Sequence, residues 1–200
     1  MTINYGLKNY VDKAFEAVDA VGKLMFELTG RDGTSLKDGA RSELALYLMY
    51  LAASDGIINW DESRFISTYL GFNKTPAEIN AYIQEHNIYS TEYESTPPNV
   101  MALLVLMDNI LIDNHIDLNM DQKISEIYLD LYKNLGKEFL AADNDVAENE
   151  KKDLTIYIQM LERYLDENLH SRKAGVIGPS KKTGNSSSTG IGGVLAPKKN

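Results

Sequence analysis

The sequence predicts an all-α bundle of about seven helices, and three observations point to it. Apolar residues recur at three- and four-residue spacing through the first 168 positions, glycines and prolines punctuate the runs, and no stretch shows the period of two that marks a half-buried strand. Tyr10, Val11, Phe15, Val18, Val21, Leu24, Met25 and Leu28 make the apolar stripe of a first helix, stopped by the glycines of TGRDG. A second helix begins near Ser35 and carries Leu44, Leu46, Tyr47, Leu48, Tyr50 and Leu51. It is apolar nearly all round and is expected to be the most buried element. A third covers 60–70 and ends at Gly71, and a fourth starts at Thr75-Pro76, a cap residue followed by proline in the first turn. After Pro97 and Pro98 a strongly apolar helix opens in STPPNVMALLVLMDNILIDN. The last two span about 121–142, with Leu129, Tyr132, Leu135 and Phe139, and 148–168, with Leu154, Ile158, Leu161 and Leu165.

Charge divides the chain into two parts. Of 200 residues 44% are hydrophobic, enough for a sizeable core, and the formal net charge is −9. Residues 1–168 hold all 29 acids and 14 of the Lys and Arg residues, a balance of −15, whereas 169–200 hold six bases and no acid. The expected organisation is one helical domain over 1–170 and a flexible basic tail over 171–200. The tail, rich in Gly, Ser and Lys, buries too little apolar surface to fold alone. An acidic body repels nucleic acid and anionic lipid, so attraction to an anionic surface falls to the tail. No apolar run approaches the roughly 20 residues that cross a bilayer, and MTINYGLKNYVDKAF lacks the basic start and apolar stretch of a signal peptide. Cytoplasm is the expected compartment.

Several chemistries lack their residues. There is no cysteine, hence no thiolate metal site and no cysteine nucleophile. His86, His115 and His170 fall in no H-E-x-x-H spacing, and neither G-x-S-x-G nor G-x-x-x-x-G-K-[ST] occurs. DNHIDLNMDQKI places Asp113, Asp117 and Asp121 like calcium-loop ligands, but Leu118 stands at the turn glycine and Ile124 at the bidentate glutamate. The expectation is a protein that is not an enzyme. Tyr47, Tyr50, Tyr69, Tyr128, Tyr132 and Tyr157 lie at helical spacing and should edge the core. Tyr89 and Tyr93, in the long polar loop NIYSTEYESTPPN, are the candidates for partner contact, because tyrosine offers apolar area with a polar tip.

One joint recurs. Shifted by 88 residues, AASDGIINWDE meets LAADNDVAENE, so that Ala53, Asp55, Gly56, Ile58 and Glu62 face Ala141, Asp143, Asn144, Val146 and Glu150. Gly and Asn take the left-handed conformation that closes a helix. The branched residue two places later can plug the turn into the core, and the glutamate falls in the first turn of the next helix, where its charge suits the dipole. Asn59 can cap reciprocally with Glu62, but Ala147 offers no acceptor, so the glutamate recurs without its capping partner. LIDNHIDLNM is a weaker echo in which Met120 replaces the glutamate. The bundle is thus expected to contain two related helix-turn-helix halves.

Ala-x-Asp-[Gly/Asn]-x-[Ile/Val]-x-x-x-Glu, repeated between apolar helices over about residues 40–168, resembles the TerB-like family of tellurite-resistance and related all-helical domains. LDLYKNLGKEFLAADNDVAENEKKDL is also similar to helical regions that precede AAA-type ATPase domains in bacterial proteins. The resemblance implies a non-enzymatic interaction or regulatory module of a stress-response or defence complex, working with a separate ATPase chain. Its alternative is a divalent-cation domain, for calcium or magnesium, with Asp55, Glu62, Asp143 and Glu150 as ligands. Asn144 stands here where the family has its usual glycine, and Ile57 where an acid is frequent.

Overall fold

The structure, a computed structural model, describes residues 3–30, 36–54, 56, 58–88, 96–116, 122–142 and 148–172. Among them seven helices follow one another: α1 (Tyr5–Thr29), α2 (Leu36–Ala52), α3 (Trp60–Leu70), α4 (Pro76–His86), α5 (Asn99–Asp113), α6 (Ile124–Leu140) and α7 (Glu148–Asn168). The described residues contain no strand. None of the described helices is long and apolar enough to cross a membrane. Local chemistry sets most boundaries. Gly30 and Gly71 take left-handed backbone at the ends of α1 and α3 (φ 68° and 73°), and Thr75 caps α4 with Pro76 in its first turn. The sixth helix is shorter than the spacing suggests, starting at Ile124 rather than near 121.

The α2 helix touches all six of the others and is the axis of the bundle. Its last six residues, Tyr47 to Ala52, are all buried, which explains a sequence that is apolar on every side. It is not alone in this, for α6 buries as many residues as α2. Tyr47, Tyr50, Tyr128, Tyr132 and Tyr157 do not edge the core but form its middle, each almost wholly buried. Tyr47 packs on Tyr132 and Tyr157 with ring centroids 4.8 Å apart in both pairs, and Tyr128 meets Tyr132 edge-on at 5.2 Å. Such offset and edge contacts suit the ring quadrupoles, and the hydroxyls still find acceptors: Tyr47 donates to the Tyr132 carbonyl, and the Tyr128 O–H is shared between the Ala40 carbonyl and the Glu43 carboxylate.

Close approach around this cluster demands one glycine. Gly136 of α6 sits where a methyl group would collide with the Tyr47 hydroxyl and with Leu154 of α7. Its missing side chain lets α2, α6 and α7 meet.

Candidate functional site

The first joint, between α2 and α3, is described except for Asp55 and Ile57. Gly56 has φ 102°, a conformation that residues with a Cβ rarely adopt, and Ile58 is buried as a plug. Asn80 of α4 clamps the plug's backbone, accepting from the Ile58 N–H at 3.0 Å and donating to the Ile58 carbonyl at 3.4 Å. Asn59 caps α3 by accepting from the Asp61 and Glu62 amides, and Glu62 reaches back to accept from the Asn59 N–H at 2.7 Å. The result is a closed capping box in which Glu62 is only 2% exposed.

At the second joint, between α6 and α7, residues 143–147 lie outside the described residues, so Asp143 is not placed. Glu150 is placed. It occupies the third position of α7, as Glu62 does in α3, and is 3% exposed. Asp153, one turn on, is buried with it. Tyr69 and Tyr157, which correspond in the repeat, are both buried as well. The echo at Asp113 diverges: Asn114 keeps φ −94°, the left-handed residue is His115 (φ 54°), and Ile116 is exposed. There the Asn114 amide turns back to the Ile110 carbonyl instead of closing the helix from the left-handed region.

The start of α3 and the end of α6 share one end of the bundle. Phe65, one turn after Glu62, packs edge-on against Phe139, at the end of α6, with centroids 5.5 Å apart. Trp60 opens α3 at this end and is 69% exposed, the most exposed of the larger hydrophobic side chains after Tyr5 among the described residues. Buried at the same joint, the Ser54 hydroxyl has no hydrogen-bond partner among the described residues. Among the described residues no three His, Asp or Glu side chains gather closely enough to hold a metal ion; Asp55 and Asp143 are outside that set. Tyr89 and Tyr93 also lie outside the described residues.

Two further carboxylates, not singled out by spacing, hold helix N-termini from a distance. Proline at the cap of α5 offers no side-chain acceptor. Glu43 of α2 takes that role, accepting from the Val100 N–H at 2.8 Å through Oε2 and from the Tyr128 and Tyr132 hydroxyls at 3.1 Å through Oε1. Asp108 of α5 does the same for α6, accepting from the Ile124 and Ser125 amides at 3.2 and 2.9 Å and from the Ser125 hydroxyl at 2.6 Å. Burial pushes both carboxyls above the ordinary carboxylate range, and these hydrogen bonds pull them only part of the way back. With every oxygen engaged by the fold, both act as caps between helices.

A shallow groove of about 400 Å³ runs between α6 and α7 over Leu154 and Ile158, with Lys133, Lys137 and Glu162 along it. Lys133 bridges to Glu162 at 2.8 Å, so the groove is partly closed by its own charges. No protein-family model matches this chain, and no curated protein or solved structure is detectably similar to it.

Proposed function

We infer that the protein is a non-enzymatic interaction module of the TerB-like kind, acting in the cytoplasm within a stress-response or defence complex and working with a separate ATPase chain. The observation that carries this reading is Trp60. Tryptophan is the side chain most enriched among residues that dominate binding energy, and this one is 69% exposed. It stands at the start of α3, beside Asp61, at the end of the bundle where Phe65 of α3 meets Phe139 of α6. A partner with an apolar slot rimmed by basic groups fits that chemistry. The test is a pull-down with the full chain and with Trp60→Ala, with partners identified by mass spectrometry. A partner retained by the natural chain and lost with the variant supports the reading; identical recoveries with both sink it.

The Ser54 hydroxyl, buried and without a hydrogen-bond partner among the described residues, favours a second reading, a calcium or magnesium site at the joints using Asp55, Glu62, Asp143 and Glu150. A ligand that binds the folded state must raise its melting temperature by mass action. Trp60 is the one tryptophan of the chain, so its emission gives a local readout beside the melts. Stabilisation by millimolar metal that disappears in Asp55→Ala and Asp143→Ala supports the site. Melts and emission that ignore the metal dismiss it.

A further inference from the structure

The groove between α6 and α7 has two unlike ends. Lys133 of α6 stands opposite Glu162 of α7 and Gly136 stands opposite Leu154, so the two helices run antiparallel. The middle of the groove is apolar: Leu154 and Ile158 rest on the core with one side and line the groove with the other. Towards the end of α6 the groove turns basic. Lys137 lies there, one turn beyond Lys133, and Lys151 lies one turn before Thr155 on the same face of α7. Lys137 has no ion-pair partner among the described residues. Towards the start of α6 the groove turns acidic, with Glu162 and Asp130 sharing Lys133 at 2.8 and 4.0 Å. Lys151 bridges to Glu148 at 2.6 Å, so three lysines stand with three acids on this face, in a body whose balance is −15. A face without net charge is where two acidic copies can approach.

We propose that this face joins two copies of the chain about a two-fold axis through the middle of the groove. Such an axis turns the groove end for end, so that Lys137 of each copy meets Glu162 of the other. Leu154 and Ile158 of one copy then cover Ile158 and Leu154 of the second, and the apolar floor that the fold leaves open is removed from water. Charge complementarity selects this occupant over others. A purely acidic helix laid in the groove would suit Lys137 but face Glu162 and Asp130 at the other end, and a purely basic one would reverse the mismatch. A surface with the opposite gradient satisfies both ends, and the inverted copy has it. The groove is shallow and its charges are exposed, so the association belongs to the weak class, micromolar to millimolar. This inference does not rest on the role assigned to Trp60.

Sedimentation velocity of the full chain, from about 10 μM to about 1 mM, tests it. The natural chain should pass from monomer to dimer over that range. Lys137→Glu and Glu162→Lys should each weaken the dimer about tenfold, because each turns two attractions across the axis into two repulsions. Both side chains reach solvent, so the helices persist in either variant. Combining the two substitutions in one chain should restore the dimer, and so should mixing the two single variants, since opposite charges then face one another again at both ends. A chain that stays monomeric up to about 1 mM overturns the proposal. So does a dimer indifferent to both reversals, or one that neither combination nor mixing restores. A dimer broken by Trp60→Ala and untouched by Lys137→Glu overturns it too, by moving the contact to α3.

Discussion

Asp108 shows how much one side chain decides in this bundle. It is a buried carboxylate in the middle of an apolar helix, and it accepts three hydrogen bonds from the start of another. Asp108→Ala leaves the Ile124 and Ser125 amides and the Ser125 hydroxyl without their acceptor, and should cost about 3 kcal/mol in denaturant unfolding. The pH dependence follows from the direction of its shift. Because the folded carboxyl holds its proton to higher pH than the unfolded one, the folded state binds more protons between those two values, and stability falls as pH rises through that interval. Asp108→Asn removes this term. Unfolding curves taken from about pH 4 to about pH 7 should show the natural chain losing stability relative to the variant as pH rises; a constant difference would contradict the assignment. Neither Asp108 nor Glu43 was legible beforehand. A single acid inside LLVLMDNILI or SELALYLMYL is a visible anomaly, but periodicity gives only the face it lies on. Which helix start waits opposite is a property of tertiary packing.

Among the elements, boundaries written in local chemistry were readable and those set by packing were not. Gly30, Gly71 and Thr75-Pro76 end or start their helices where the sequence says, since backbone preference alone decides there. The start of α6 is set by Asp108 from another helix, and so it falls at Ile124 rather than near 121. The repeat was readable as pattern: both glutamates occupy the third position of their helices and both are buried. Its purpose was not, because the clamp on the first joint comes from Asn80, some 22 residues away in sequence. Asn80→Ala should cost about 1–2 kcal/mol, read in denaturant unfolding, and speed hydrogen exchange at Ile58. Gly136 gives the opposite lesson. In an ordinary helix Gly→Ala stabilises by up to about 1 kcal/mol, yet here the added methyl meets Tyr47 and Leu154. Gly136→Ala should therefore destabilise by about 1–3 kcal/mol, and a gain in stability would show that α2, α6 and α7 are not so closely packed.

At the scale of the whole molecule the unequal division of charge governs behaviour. The body carries a balance of −15 against 169–200 with +6, and most of its described ion pairs are exposed pairs three or four residues apart, which offset little of that repulsion. Self-repulsion among exposed charges is screened beyond roughly 10 Å at 0.1 M salt. The melting temperature should consequently rise as salt is added from low ionic strength, in a chain whose caps and aromatic core are themselves insensitive to screening. Deleting 173–200 removes five lysines and no acid, moving the net charge from −9 to −14. If the basic segment lies near the body and partly neutralises it, the shortened chain feels the repulsion more and its melting temperature must climb more steeply with salt. Parallel salt dependences for the two chains would place the lysines too far from the acidic body to be felt. Sodium chloride at equal ionic strength in place of calcium or magnesium chloride separates this general screening from any specific cation effect at Asp55 and Asp143, since screening alone does not distinguish the variants from the natural chain.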